Sequence, residues 1–127
     1  MKSLIKLKRV YEKPLKEDGF RILVERLWPR CFTKGRAAIN LWLKDIAPNS
    51  ELRKWFGHDP AKWKEFCEHY RAELIEKKEL IASLKQKSKE GTVTLIFSSS
   101  DEKHNSAVAL KMFLKTTVNL DKTIKIK

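Results

Sequence analysis

A chain of 127 residues with 42% hydrophobic content, four Trp, six Phe and two Tyr is long enough for one core and too short for two, which excludes general disorder and a two-domain layout. Its formal charge of +12 favours anionic partners, whether nucleic acid or phosphorylated metabolites, through the summed field of the protein. Cys31 and Cys67 stand 36 positions apart with no redox or metal spacing, and neither a secretory leader nor a run of about 18 apolar residues is seen, so a reduced, cytoplasmic chain with no membrane partner is expected.

Charge is uneven along the chain. Residues 1–36 hold 11 Lys and Arg against 4 Asp and Glu, residues 37–110 hold 12 against 11, and the last 17 hold 5 against 1. The first element follows from near alternation between Leu4 and Tyr11, with Ile5 and Leu7 on one face and Lys6 and Lys8 on the other, the pattern of a half-buried strand. Asp18-Gly19 is a reversal signal. Phe20 to Leu27, FRILVERL, has the content of a buried strand with Arg21, Glu25 and Arg26 towards its margins. Pro29 stops that ladder, leaving Arg30 to Gly35 as an exposed basic loop.

Arg36 to Leu43 suits a short helix or a strand equally, and both readings stay open. Ser50 reads as the N-cap of a helix running through Phe56, with Gly57 as its stop. Asp59-Pro60 opens the clearest helix, in which Trp63, Phe66, Tyr70, Leu74, Ile81 and Leu84 recur at helical spacing, ending at Gly91 with room for a break before it. This aromatic stripe is core rather than ligand pocket. Thr92 to Phe97, TVTLIF, is free of charge and reads as a central parallel strand. A polar loop from Ser98 to Asn105 follows, then an amphipathic helix from Ala107 to Leu114, so strand, loop and helix form half of a βαβ unit. The expected architecture is α/β: one compact domain over residues 1–115, a small, largely parallel sheet flanked by helices. Residues 116–127 form a basic tail, either an edge strand or disordered.

Ligands of open α/β sheets bind outside the carboxyl ends of the strands, which directs attention to the loops after Leu27 and Phe97. The first offers Arg26, Arg30, Lys34 and Arg36. The second offers three serines, Asp101, His104 and Asn105, and leads into a helix start, where unpaired amides favour an anion. Asp101 and His104 are candidates for an oriented general base. The plainer readings are a capping role for Asn105, an arginine partner for Asp101 and a solvated turn for His104. Ser98, Ser99 and Ser100 lack the glycines of a nucleophile elbow. From Cys31 the run C-F-T-K-G-R is one residue shorter than a phosphatase-type anion loop requires. His58, His69 and the cysteines make no metal constellation, and no phosphate-loop or dinucleotide glycine fingerprint occurs, so neither metal nor cofactor is expected.

The motifs V-E-R-L-W-P-R, L-W-L-K-D-I-A-P-N-S, E-L-R-K-W-F-G-H-D-P and D-E-K-H-N-S-A stand in one order over residues 5–114. In this the chain resembles the YeaO-like proteins, a bacterial family with a domain of unknown function. The resemblance implies a compact α/β protein and no particular reaction. It places Arg26, Trp28, Pro29, Arg30, Trp42, Asp45, Arg53, Trp55, His58, Asp59, Asp101, His104 and Asn105 at motif positions. Cys31 stands where the motif ordinarily has Gly.

The leading expectation is a domain whose Arg26, Arg30 and Arg53, with Trp28, His58 and Asn105, hold a small anionic, phosphorylated or nucleotide-like molecule near His104 and Asp101. The alternative is a nucleic-acid-binding module that uses its basic ends, Lys6, Lys8, Lys125 and Lys127 among them.

Overall fold

The computed structural model describes residues 4–126, with side chains described for residues 4–116. Four parallel strands form one sheet in the order β1-β4-β2-β3: β1 Ile5–Arg9, β2 Phe20–Leu23, β3 Leu41–Trp42 and β4 Val93–Phe97. The charge-free TVTLIF run lies between β1 and β2, where both edges are paired, and all five residues of β4 are buried. The helices are α1 Lys34–Ala37, α2 Ser50–Phe56, α3 Trp63–Glu76, α4 Lys78–Glu90 and α5 Ser106–Ile126. The α/β expectation therefore holds.

Strand alternation sorts the core into two layers. Ile22, Val93, Leu95 and Phe97 face the larger cluster, which Phe56, Phe66, Tyr70, Leu74, Leu84 and Leu110 complete from the helices. Leu23 and Ile96 point the other way, onto Val10 and Ala37, with Trp28, Phe32 and Ile39 packed over them. Several boundaries depart from the sequence reading. β2 ends at Leu23 and not Leu27, because the chain turns at Glu25 across the strand ends. The open stretch 36–43 divides, α1 ending at Ala37 and β3 occupying Leu41–Trp42. Asn49, not Ser50, caps α2, its side chain accepting from the Leu52 amide. Asp59 caps a single 3-10 turn, Pro60–Lys62, that leads into α3. The long helical region breaks at Lys77 (φ −98°, ψ 50°). Beyond Thr116, where an edge strand or disorder was expected, α5 continues to Ile126.

On the second face a carboxylate ties the sheet together. Asp18 accepts from Arg21 Nη1 at 2.6 Å, from Lys8 Nζ at 3.1 Å and from the Leu15 amide at 2.9 Å. Its own carbonyl accepts from Thr94 Oγ1 at 2.6 Å. Arg21, read from sequence as a strand margin, is only 4% exposed and also donates to the Ala37 and Ala38 carbonyls. Lys8 of β1, Thr94 of β4 and Arg21 of β2 thus meet at one residue. Gly19 follows at φ 67°, and a β-carbon there would lie 2.3 Å from the Thr92 carbonyl oxygen, so no side chain fits the turn.

Burial alone would raise the Asp18 carboxyl, but the Leu15 amide, Lys8 and Arg21 outweigh it and hold the pKa below the ordinary 3.8. A depressed folded pKa contributes stability above the unfolded value and loses it as pH falls through the folded one. Asp18→Asn strands Arg21 with its charge uncompensated and should cost about 3–5 kcal/mol near neutral pH. In urea titrations taken down to about pH 2, the gap between wild type and variant should close below the ordinary carboxylate range. A gap that stays constant with pH would contradict an ionised Asp18 as the organising group.

Candidate functional site

At the carboxyl ends of the strands the two polar loops face one another across a cleft of about 620 Å³, within the usual range for small-molecule sites. Arg26, Trp28 and Arg30 form one wall, Ser98 to Asp101 with Asn105 form a second, and Arg53 and His58 close a third. Of the eight residues expected at the site, seven line it. His104 is the exception.

Glu25, which sequence reasoning read only as a strand margin, joins the first two walls. Its carboxylate accepts from the Ser98 amide at 3.1 Å and from Ser98 Oγ at 2.7 Å, linking the turn after β2 to the end of β4. Trp42 Nε1 donates to the Glu25 carbonyl at 2.7 Å and fixes the turn from the other side. Trp28 Nε1 donates to the Phe32 carbonyl at 2.7 Å, and its ring meets Trp42 edge-on at 5.4 Å. Tyr11 also lines the cleft, and nothing in its local sequence marked it.

Asp101 is fully engaged within its own loop. Oδ1 accepts from the Lys103 and His104 amides at 2.9 and 3.0 Å, and Oδ2 meets His104 Nδ1 at 3.0 Å. The Lys103 amide, then the His104 ring, hold its carboxyl below the ordinary range. The pairing raised from sequence exists, but the His104 ring packs edge-on against Trp63 at 5.4 Å, on the helical side. With the carboxyl held below its ordinary range and the ring packed on Trp63 outside the cleft lining, the pair does not aim a base into the cleft. Asn105 is buried and engaged at both ends as well, Oδ1 capping α5 at the Val108 amide and Nδ2 donating to the Asp101 carbonyl.

The arginines differ in kind. Arg26 donates through Nη2 to the Ala47 and Pro48 carbonyls at 3.3 and 3.5 Å, while its Nε is buried without a partner. Arg30 and Arg53 are exposed, and their guanidinium groups make no hydrogen bond or ion pair with the described residues. The wall that carries Arg53 is held from behind by α3. Tyr70 Oη donates to the Ile46 carbonyl at 2.6 Å, Glu73 accepts from the Asn49 amide at 2.9 Å, and Lys77 at the helix end donates to the Ala47 carbonyl at 3.0 Å. These three side chains, at i, i+3 and i+7, share one helix face. Burial, opposed by Glu73 and Asp45 and aided by Arg26, lowers the Lys77 pKa.

Cys31 is exposed and lies outside the cleft lining. It adopts φ 66°, the left-handed conformation that glycine takes most readily. Among the described residues no three His, Cys, Asp or Glu side chains group as metal ligands, and no helix is long and apolar enough to cross a membrane.

Residues 4–125 match the family described as the inactive DUF488-N3 subclade. The chain belongs to the DUF488-N3i family. It is 38% identical over 112 residues to Uncharacterized protein YeaO of Escherichia coli (strain K12), covering 88% of this chain and 97% of that protein. It is 34% identical over 110 residues to Uncharacterized protein Rv3073c of Mycobacterium tuberculosis (strain ATCC 25618 / H37Rv), covering 87% and 92%. Uncharacterized protein Mb3100c of Mycobacterium bovis (strain ATCC BAA-935 / AF2122/97) shows the same identity and coverage. No solved structure gives a significant match. The resemblance to YeaO-like proteins is thereby established.

Geometry separates the residues that hold the loops from the exposed, unpaired arginines, and stability separates them too. Asn105→Ala should cost about 1–2 kcal/mol through the lost cap, whereas Arg30→Ala and Arg53→Ala should each stay within about 0.5 kcal/mol. Urea midpoints of the three variants check this division; a large loss at either arginine would mean that it has a structural partner.

Proposed function

We propose that this chain is a binding domain that captures a small anionic, phosphorylated or nucleotide-like molecule in the cleft. The observation that carries the reading is the pair of unpartnered guanidinium groups, Arg30 and Arg53, on two walls of one cleft. Arginine forks match phosphate and carboxylate oxygens bidentately. Ser106 and Asn105 bring the amino end of the 21-residue helix α5 to the same space, adding partial positive charge. Both carboxylates on the lining, Glu25 and Asp101, already accept hydrogen bonds from donors of the loops. Phe56, Phe66 and Trp28 supply an apolar bed for the uncharged part of a ligand.

Capture without turnover fits the arrangement better than catalysis. Asp101 and His104 bind one another, Ser98 donates to Glu25, and Cys31 lies outside the lining. The family description as an inactive subclade agrees with that reading. For the alternative based on basic ends, Lys8 is engaged by Asp18 and Lys6 donates to the Glu17 carbonyl, so neither is simply a free phosphate contact. The side chains of Lys125 and Lys127 lie outside the described ones.

Thermal-shift measurements with nucleoside monophosphates, inorganic phosphate and pyrophosphate test the proposal. At a ligand concentration about 100-fold above Kd, a bound member should stabilise the fold by about 2.7 kcal/mol, raising Tm by several degrees. Arg53→Ala and Arg30→Ala should each weaken binding about tenfold or more. If no compound shifts the protein, or if both variants bind as wild type does, the cleft is not an anion site.

A further inference from the structure

From the cleft mouth outward, cations and aromatic rings alternate across the surface. The Arg9 guanidinium lies 4.9 Å from the Tyr11 ring centroid, Tyr11 meets Phe32 edge-on at 5.3 Å, and Arg36 lies 5.4 Å from the Phe32 ring. A second set adjoins it through the Trp28–Phe32 hydrogen bond: Trp28 packs on Trp42, and Lys44 lies 5.3 Å from the Trp42 ring. From Arg26 to Lys44 the chain carries five cations, Arg26, Arg30, Lys34, Arg36 and Lys44, and no Asp or Glu. Glu12, the acidic group beside Arg9 in sequence, accepts from the Arg9 amide. Tyr11 is 54% exposed and Trp42 37%, yet Tyr11 also lines the cleft.

We infer that this surface takes a single strand of nucleic acid and leads one of its nucleotides into the cleft; the second half of this rests on the anion-binding reading of the cleft. Single strands are held by a positive track beside rings on which bases stack, and such recognition needs no base-specific contacts. Arg9 is pinned for this role, since its Nε donates to the Ser99 carbonyl at 2.9 Å while its terminal nitrogens remain for phosphate. Holding a guanidinium against a ring lowers the entropy lost on contact. A duplex offers its phosphates but keeps its bases stacked, so exposed rings at the edge of a nucleotide-sized cleft favour the unpaired strand.

Fluorescence anisotropy with a labelled thymidine dodecanucleotide tests the surface, and calorimetry with thymidine monophosphate tests the cleft. Four phosphate contacts, from Arg9, Arg30, Arg36 and Lys44, give a log–log salt slope of about −3 for a single strand, or about fiftyfold weaker binding between about 50 and 200 mM salt. Tyr11→Ala should weaken the oligonucleotide about tenfold. Arg36→Gln with Lys44→Gln, both at exposed positions outside the cleft lining, should weaken it at least as much while changing the monophosphate affinity far less. Arg53→Ala should weaken both ligands. Equal affinity for a duplex of the same length, a flat salt response or no oligonucleotide binding overturns the inference. If the monophosphate still binds in that case, the cleft reading stands alone. Oligonucleotide binding indifferent to Arg53→Ala leaves the strand on the surface and contradicts its entry into the cleft.

Discussion

The Asp18 carboxylate is the interaction on which the rest of the molecule depends. Lys8 reaches it from β1 and Arg21 from β2, and its carbonyl is held by Thr94 of β4, so three parallel strands share one anchor. Arg21 then carries the link to the last carbonyls of α1. A buried ion cluster of this kind contributes little net stability compared with apolar packing, yet removing one member leaves a charge without compensation. Its position beside Gly19 explains why the turn into β2 has one geometry: the Thr92 carbonyl fills the space where a side chain would sit.

That anchor divides the protein's positive charge into two kinds. At Asp18, Lys8 and Arg21 are neutralised or satisfied internally and have nothing to offer a partner. At the carboxyl ends of β2 and β4 the opposite holds. There the carboxylates are already hydrogen-bonded, Glu25 by Ser98 and Asp101 by its own loop, while Arg30 and Arg53 are left unpaired. The field of an unpaired cation in a partly enclosed site is screened less than on an open surface. The net charge of +12 is thus a poor guide to the binding site by itself, since cations already held by Asp18 make no direct contact with a ligand. The packing of α3 sustains this asymmetry, because Tyr70, Glu73 and Lys77 grip the segment from Ile46 to Asn49 that starts α2 and presents Arg53.

Much of this was legible in the residues. TVTLIF announced a strand paired on both sides, Asp18-Gly19 a reversal, and the rule for open parallel sheets led to the two loops that do face one another. Local pattern is strong at such places because hydrophobic periodicity and turn chemistry act over a few residues. Arg21 and Glu25 were legible only as strand margins: Arg21 pairs with Asp18 just three residues away, but its burial against Ala37 and the meeting of Glu25 with Ser98 are set by the sheet order rather than by sequence proximity. The placement of His104 has a related cause. Its spacing from Asp101 allows the pair that forms, but its ring packs on Trp63 of α3 and is not part of the cleft lining. The cap at Asn49 in place of Ser50 shows the limit of a local rule, as two adjacent residues both suit the position and backbone geometry decides between them.

Amide chemical-shift mapping tests the central claim most directly, because it reports where an anion sits without assuming what it is. Titration of the labelled protein with a nucleoside monophosphate should move the amides from Ser98 to Ala107 together with those around Arg30 and Arg53, and should leave Asp18, Arg21 and α4 unchanged. Shifts confined to the lysines of α4, or spread evenly over every basic segment, would contradict a cleft in which unpaired arginines and the start of α5 converge on one ligand.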